Sequence, residues 1–306
     1  MEANWRKRSN LQAFLSGTTP RVPISPFPKT NSYWQPVLQG KVENFNLEDL
    51  WDQYREWSAY GLGVPIVLDN GASVVEYYVP YLSAIQIYTS KSHALTRCML
   101  EDSEKESFSD DSESEKLSRL SDVSDDFLVD QDASWSSRHL LGQLYLQYIE
   151  YGSPYARIPL FDKVNELAQN YPGLTLFKSV DISPASWMSV AWYPIYHIPS
   201  CRNVKDLSTC FLTYHTISTL FQENNDVLEE VTEDSCSANT GDMMEKTRGS
   251  ISLRPFGLAT YKLEGDLWIN PETSDNEVMS TLYSAAYSWL KQLVVEHHDF
   301  DFFTTH

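Results

Sequence analysis

The negative charge of this chain is concentrated in two segments. Residues 101–132 contain thirteen acidic residues and three basic ones, and residues 222–248 contain eight acidic residues and two basic ones. Together they carry most of the formal net charge of −19, so the rest of the chain is nearly neutral. Segments this polar bury too little apolar surface to offset the entropy lost on ordering. We therefore predict a single domain, residues 1–306, with two disordered acidic insertions at 101–132 and 222–248.

The remaining sequence is apolar enough to build a large core. Hydrophobic residues make up 42% of the chain and aromatic residues 13%, which excludes disorder of the whole chain. No basic stripe is present that would neutralise phosphates, so nucleic acid is not expected as a partner. The short run Arg6-Lys7-Arg8 is a candidate nuclear-import patch.

Three further features favour a soluble intracellular protein of the cytoplasm and/or nucleus. The chain starts without the apolar run of a signal peptide. The longest uncharged stretch, 182–201, is long enough to span a membrane, but its three prolines and four serines predict strand and loop instead. The four cysteines show no close pairing, which favours a reducing compartment. We expect no membrane association.

Helical spacing of apolar residues predicts five helices. The first is short and begins with a capping box formed by Ser9 and Gln12. The clearest spans 47–60, where Asn46 is expected to cap the first turn and Gly61 to supply a left-handed exit. The others are predicted at 138–151, 159–170 and 276–294.

The strand signals come in clusters joined by hairpin-length links. Residues 64–68 and 73–79 are joined by an Asn-Gly turn, which predicts a hairpin. Residues 187–197 carry apolar side chains at alternate positions on both sides, which predicts a strand covered on both faces. Pro194 favours an edge or a bulge instead, and the sequence leaves this conflict open. Further strands are predicted at 82–88 and 211–219, and a second hairpin pairs 256–263 with 267–269.

These elements predict an α+β fold with a mainly antiparallel sheet flanked by helices. The helices 47–60 and 276–294 both need a partner surface, and a single sheet between them is the simplest way to supply it. Both acidic insertions then leave the domain as surface loops without dividing it.

The chain lacks the short motifs of known catalytic and nucleotide-binding sites, such as the phosphate-binding loop and the nucleophile elbow. The most suggestive metal set consists of His197, Cys201, Cys210 and His215. Their spacing contains no close cysteine pair, so we predict no metal and no cofactor. Cys210 with His215 or His197 is a candidate for nucleophilic catalysis, because a thiolate needs a nearby base. Cysteines in apolar strands are usually inert core residues.

Aromatic side chains cluster on one predicted helix and one predicted strand. The set comprises Trp51, Trp57, Trp187, Trp192, Tyr193 and Tyr196. Packing in the core is the ordinary explanation, because such rings bury large areas. The alternative is that they line a groove for a peptide or an apolar ligand, which makes them the candidate binding residues.

Three serines of the first acidic insertion match a phosphorylation pattern. Ser103, Ser107 and Ser112 are each followed three positions later by an acidic residue, as acidophilic kinases require. Each phosphate would add about −1.5 to −2 charges. Apolar residues alternate with acidic ones in the same insertion, which suits a segment that folds onto a partner. The alternative is a solvated spacer.

Distinctive blocks of residues occur along the chain outside the acidic insertions. They include Ser9-Asn10-Leu11-Gln12, Glu56-Trp57-Ser58-Ala59-Tyr60-Gly61, Tyr78-Val79-Pro80-Tyr81-Leu82, Ser189-Val190-Ala191-Trp192-Tyr193-Pro194-Ile195-Tyr196, Cys210-Phe211-Leu212-Thr213-Tyr214-His215 and His298-Asp299-Phe300. These blocks resemble the plant family known as domain of unknown function 789. The resemblance implies a plant protein, one full-length domain and no established activity, and it transfers no catalytic residues.

The sequence departs from the family pattern at the suggested metal set. The position of His197 is typically Arg in the family, and the position of Cys201 is not cysteine. Two of the four suggested metal ligands, His197 and Cys201, are therefore not features of the family.

These observations favour a non-enzymatic binding or adaptor protein whose acidic loops are tuned by phosphorylation. The expected partner is a protein or peptide. An enzyme with an unfamiliar site around His197, Cys210 and His215 is the alternative, and it requires these side chains to converge in a cleft. A purely structural subunit is a third hypothesis, and it requires a large apolar surface patch.

Overall fold

The fold is given by a computed structural model that describes residues 8–25, 43–68, 70–89, 141–195, 208–219, 249–263, 267–270 and 273–305. The predicted insertions 101–132 and 222–248 lie outside these residues. Outside them, too, lie the candidate site residues Ser103, Ser107, Ser112, Tyr196, His197 and Cys201.

All strand pairings in the described part of the chain are antiparallel. The strands are β1 (Arg21–Pro23), β2 (Leu62–Val67), β3 (Ser73–Thr89), β4 (Gln143–Ile149), β5 (Trp187–Pro194), β6 (Cys210–Thr216), β7 (Ser250–Ser252) and β8 (Gly257–Tyr261). Six of them form one sheet in the order β2-β3-β5-β6-β8, with β4 also paired with β3. Strands β1 and β7 form a separate small pair.

Helices cover both faces of the six-stranded sheet. They are α1 (Asn10–Gly17), α2 (Leu47–Tyr60), α3 (Leu160–Ala168), α4 (Gly173–Leu176), α5 (Asp275–Leu293) and α6 (His298–Thr305). Helices α1, α2 and α3 contribute buried residues to a first core on one face, and α5 and α6 contribute to a second core on the other. The predicted α+β fold, a mainly antiparallel sheet flanked by helices, is confirmed. None of the described helices combines the length and apolar character needed to cross a membrane.

Strand β5 lies at the centre of the sheet, and its side chains alternate between the two cores. Met188, Val190 and Trp192 belong to the first core, and Trp187 and Ala191 belong to the second. The predicted strand covered on both faces is therefore confirmed.

Pro194 is accommodated in this central strand because it comes last. Pairing between β5 and β6 ends at Trp192, whereas the Ile195 amide still donates to the Tyr77 carbonyl of β3 at 2.7 Å. Successive amides point to opposite sides of a strand, so the Pro194 nitrogen points toward the β6 side, beyond the paired region. Neither an edge strand nor a bulge is needed at Pro194.

Strand β3 continues through Pro80 without a break. The predicted strand at 82–88 is therefore the second half of β3, and the prediction that a separate strand begins at residue 82 is wrong. The pairing with β2 ends at Tyr78 and the pairing with β4 begins at Ala84. Pro80 lies in the gap between these two neighbours, where none of the described strands would receive an amide hydrogen from β3. Beyond the gap, the register with β5 shifts between Leu82 and Ala84, which leaves Ser83 as a bulge residue.

Two predicted elements are wrong. Within the helix predicted at 138–151, Gln143–Ile149 is strand β4, because the edge of β3 offers hydrogen bonds to a short segment rich in Tyr, Leu and Ile. The strand predicted at 267–269 is irregular, and its carbonyl at Trp268 accepts a bond from the Leu11 amide of α1 instead.

The predicted helix caps are confirmed in part. The Ser9 hydroxyl accepts a hydrogen bond from the Gln12 amide at 3.2 Å, but the Gln12 side chain donates to Asp275 at 3.0 Å instead of closing the capping box. Asn46 precedes α2 as expected, yet its side chain makes no cap bond and donates to Asp49 at 3.0 Å.

The free edge of β2 is closed by a side chain. The Asn10 amide of α1 donates to the Val67 carbonyl and accepts from the Val67 amide, both at 2.8 Å, and it also donates to the Leu267 carbonyl at 2.7 Å. Because alternate residues present their backbone groups to the same edge, Pro65 also points outward, where its missing amide hydrogen leaves no donor. A further strand cannot form a regular ladder on β2.

Candidate functional site

Five polar side chains form one connected chain in the second core. The Tyr214 hydroxyl lies 2.7 Å from Nδ1 of His297, and Nε2 of His297 lies 2.9 Å from the Ser83 hydroxyl. The Ser83 hydroxyl lies 2.5 Å from the Asp299 carboxylate, which in turn is bonded to Arg157. We call this set the polar chain. It links strand β6, bulge residue Ser83 of β3, the start of α6 and the loop after β4.

The polar chain ends in a buried ion pair. Arg157 donates from both terminal nitrogens to the two oxygens of Asp299, at 2.6 and 2.7 Å, and each side chain is only 2% exposed. The same guanidinium donates twice to the Gly152 carbonyl, at 2.9 and 2.8 Å. Arg157 therefore ties its own loop to α6 with a planar fork of donors that fits a carboxylate.

Burial sets the protonation states of the polar chain. Burial lowers the pKa of His297 to about 4, although Asp299 opposes the shift, so the ring is neutral at pH 7. Burial also raises the pKa of Tyr214 well above its usual value, so its hydroxyl keeps its proton. Burial alone would raise the pKa of Asp299, but the hydrogen bonds and charge of Arg157 outweigh it and hold the carboxyl ionised.

These states give every hydrogen bond of the polar chain a direction. The Asp299 carboxylate can only accept, so the Ser83 hydroxyl donates to it. The Ser83 oxygen then accepts from Nε2–H of His297, and Nδ1 of His297 accepts from the Tyr214 hydroxyl. In a nucleophilic serine site the histidine must instead accept the serine proton. The polar chain runs in the opposite direction and is a fully satisfied structural link.

Access to the polar chain leads to the same conclusion. Ser83 is 0% exposed, His297 2% and Tyr214 0%. A substrate could not reach the Ser83 hydroxyl without separating α6 from the sheet. The geometry therefore supports cohesion between α6 and the sheet, not catalysis.

The sequence-predicted catalytic pair is not brought together. Cys210 belongs to the second core, whereas the His215 ring contacts the Leu253 carbonyl and the Thr213 hydroxyl on the side of the first core. Residues five apart on a strand point to opposite faces. Burial raises the pKa of Cys210 to about 12 and lowers the pKa of His215 to about 4, so the thiol and the ring are both uncharged. His197, the third candidate, is outside the described residues.

The predicted aromatic binding set is divided between the two faces of the sheet. Trp51, Trp57 and Trp192 pack in the first core, and Trp187 and Tyr193 pack in the second. Trp187 and Trp192 are 0% exposed and Trp51 is 2% exposed, so these three rings cannot contact a ligand in this conformation. The five described rings therefore lie on two faces of the sheet and not along one groove. Tyr196 lies outside the described residues.

The residues of the polar chain were not identified as site candidates from the sequence. Arg157 and Asp299 are separated by 142 positions, and no local pattern connects them. The one available signal was that Tyr214 and Asp299 fall in distinctive sequence blocks.

An uncharged apolar surface is exposed on the hairpin of β2 and β3. The alternate residues of both strands are exposed, and the register places Gly63 opposite Tyr77, Pro65 opposite Val75 and Val67 opposite Ser73. Ile195 adjoins them through its bond to Tyr77. We call the group of Gly63, Pro65, Val67, Val75, Tyr77 and Ile195 the hairpin face. Its large side chains are between 40% and 49% exposed.

Gly63 lets the hairpin face form a continuous layer. A Cβ atom at Gly63 would lie 3.1 Å from a methyl group of Val75 and 3.2 Å from the Tyr77 ring. The side chains of Val75 and Tyr77 therefore pack over Gly63, so close that a Cβ atom at this position would be crowded by both. This is a packed apolar surface, and not a row of isolated side chains.

A small pocket is present between β8 and the first half of α5. It has a volume of about 200 Å³ and is lined by Leu258, Ala259, Thr260, Met279, Ser280 and Tyr283. This space suits one side chain and contains no charged group. The described residues include no cluster of His, Cys, Asp or Glu that could hold a metal ion.

Comparison with known proteins identifies a family without an assigned activity. The chain matches the profile described as "Protein of unknown function (DUF789)" over residues 9–303. No significant match was found among curated proteins or among solved structures.

Proposed function

The chain belongs to the DUF789 family, whose description names no activity, and we propose from its geometry that it is a non-enzymatic binding or adaptor protein. The observation that carries this proposal is the hairpin face. Its four large apolar side chains stay 40% to 49% exposed although they belong to or adjoin the main sheet. Contiguous apolar surface of this kind is typical of interaction sites.

The chemistry of the described residues supports binding over catalysis. The polar chain is sealed, its histidine is held as a hydrogen-bond donor to Ser83, and its only charges neutralise each other. The thiol of Cys210 is protonated, and His215 lies on the opposite face of β6. No described group combines an activated state with access from solvent, which a catalyst needs.

The partner is a protein or a peptide, not nucleic acid or a membrane. The hairpin face carries no cation that would neutralise a phosphate. The near-neutral body, the lack of close cysteine pairs in the sequence and the Arg6-Lys7-Arg8 run support a location in the cytoplasm and/or nucleus. The family resemblance supports the proposal of a plant origin.

Phosphorylation of the acidic insertion regulates the binding. Ser103, Ser107 and Ser112 are the sites, because each has an acidic residue at the third position after it. Each phosphate adds about −1.5 to −2 charges to a segment that is already strongly negative. Incubation with an acidophilic kinase, followed by peptide mass spectrometry, tests this part, and absence of phosphate on all three serines contradicts it.

The binding proposal is tested with charge substitutions on the hairpin face. Val75→Glu and Tyr77→Glu place a carboxylate in the middle of the face and should remove proteins that the full-length wild-type chain captures from an extract. Both side chains are half exposed, so the thermal unfolding midpoint should change little.

Leu176→Glu is the matched control, because Leu176 is 75% exposed on α4, away from the hairpin face. The control should retain the captured proteins. The proposal fails if the wild type and the Glu variants of the hairpin face capture the same proteins in quantitative mass spectrometry.

A further inference from the structure

The hairpin face lies on the same side of the sheet as α5 and α6. Tyr77 and Tyr81 are four residues apart on β3, before the bulge, and Tyr81 packs against the second core beneath α6. Likewise Ile195 follows two residues after Tyr193, which packs against the same core. Side chains at even spacing on a strand share a face. Among the described residues, helices therefore cover one part of this side and leave the hairpin face uncovered.

The apolar surface is continuous from α6 to the hairpin face. The ring of Phe303 on α6 lies 6.1 Å from the ring of Tyr193, which lies 5.8 Å from the ring of Tyr81. Two and four residues before Tyr81 on the same face come Val79 and Tyr77. The helical layer thus ends beside an apolar surface of the same kind that α6 itself covers.

A partner cannot reach this surface by adding a strand to β2. The backbone of Val67 is already bonded on both its amide and its carbonyl by the Asn10 side chain. Pro65, the next outward-facing residue, has no amide hydrogen to donate. Strand addition depends on such main-chain bonds, so the edge of β2 does not support it.

We propose that the hairpin face binds an amphipathic helix of a partner protein, which extends the helical layer of α5 and α6 across the sheet. Such a helix presents apolar side chains at positions i, i+3, i+4 and i+7. The hairpin face has no charged residue, so the contacting stripe is apolar and the charges of the partner lie at its margins. This inference rests on the binding function proposed above and specifies its partner.

The test uses two displayed peptide libraries selected against the full-length chain. One library has randomised apolar positions at helical spacing on a helix-forming scaffold. The other has the same composition with a central proline, which disfavours a continuous helix. Enriched peptides are then measured for affinity to the wild type, Val75→Glu, Tyr77→Ser and the control Leu176→Glu.

The inference expects enrichment from the helical library alone. Affinity should fall about 10-fold or more for Val75→Glu and less for Tyr77→Ser, with no change for Leu176→Glu. Amide signals on β2 and β3 should shift on binding, while the Val67 amide stays protected by Asn10.

The other outcomes separate this inference from the binding function. If the proline-containing peptides are enriched and they also lose affinity for Val75→Glu, the partner is not a helix. This result contradicts the inference but agrees with the proposed binding function. Self-association of the wild type that Tyr77→Ser abolishes identifies a second copy as the occupant, which also overturns the helix. If no peptide from either library loses affinity in Val75→Glu, the hairpin face is not a binding site and both proposals fail.

Discussion

Ser83 shows how one residue can join two distant parts of this chain. It is the bulge residue of β3, and its hydroxyl contacts both His297 and Asp299, more than two hundred positions later in the sequence. A bulge changes the aim of a side chain relative to a regular strand. Here it leaves the small hydroxyl between an imidazole and a carboxylate.

The buried ion pair should be costly to break from one side. Asp299→Asn and Arg157→Met should each lower the free energy of unfolding by about 3–5 kcal/mol, because each leaves a buried charge without its partner. The double variant Arg157→Met/Asp299→Asn should be more stable than either single variant, since it removes both charges. Urea unfolding measures all four chains. Additive losses in the double variant would show that the two residues are not coupled.

The two buried histidines should make the protein acid-sensitive. The folded pKa of His215 and of His297 is about 4, which lies below the ordinary value of a free histidine near 6.5. Between these pH values the unfolded state binds more protons, so the free energy of unfolding falls as pH falls, by about 1.4 kcal/mol per unit of pKa difference for each ring.

His297→Gln removes one of these titrating groups and should flatten the decline of the unfolding midpoint between pH 6.5 and 4. His306→Gln is the control, because it removes one histidine that is not part of the polar chain. An identical pH dependence in the wild type and His297→Gln would contradict the assignment.

Residue-level features were predictable only where the cause is local. The Ser9 hydroxyl accepts a hydrogen bond from the Gln12 amide, and Gly61 has a positive φ of 79°. Both features follow from the residue types at neighbouring positions. The Arg157–Asp299 pair joins a loop to a helix across 142 positions of the sequence, and no sequence pattern encodes such a contact.

At the scale of elements, the structure closes the β2 edge that the sequence left unexplained. Asn10 sits in the first turn of α1 and uses its side-chain amide in place of a neighbouring strand. Unpaired edges invite pairing with other chains, and natural proteins block them in several ways. Asn10 and Pro65 together block the edge of β2.

Asn10→Ala should expose the Val67 amide to solvent exchange and lower the free energy of unfolding by about 1–3 kcal/mol, because backbone groups lose their partners. Asn10→Asp keeps the acceptor for the Val67 amide but loses both donated bonds, so its amide exchange should remain slower than in Asn10→Ala. Hydrogen exchange followed by NMR measures both variants. Unchanged Val67 protection in Asn10→Ala would show that the edge is closed by something else.

Strand β4 shows why element type was harder to predict than fold class. Its apolar residues have a spacing that fits a helix over 138–151, yet the segment pairs with the second half of β3. A short segment gains little from helix propensity, and the available strand edge decides its structure. By contrast, α2 and α5 were predictable because their apolar stripes extend over several turns.

At the scale of the whole molecule, the first acidic insertion lies between two directly paired residues. Thr89 ends β3 and pairs with Gln143 at the start of β4. The two strands therefore form a hairpin whose connection includes residues 101–132. Two-residue turns are the commonest links between such strands.

Replacement of residues 91–141 by Asn-Gly should preserve the sheet and raise the free energy of unfolding by about 2 kcal/mol. The gain arises because a shorter loop loses less entropy when its ends meet, by about 0.6 kcal/mol for each halving of its length. Thermal and urea unfolding measure the change. A shuffled insertion of equal length and composition is the control and should leave stability unchanged. Loss of stability in the shortened chain would mean that the insertion contacts the sheet.

The buried pair between Arg157 and Asp299 also has a consequence for synthesis on the ribosome. Arg157 emerges from the ribosome long before Asp299 does, so its guanidinium must remain hydrated while the intervening residues are translated. The face of the sheet that α6 covers stays open until α6 itself has left the exit tunnel. During that interval the nascent chain presents uncovered apolar strands, which is the condition under which chaperones bind.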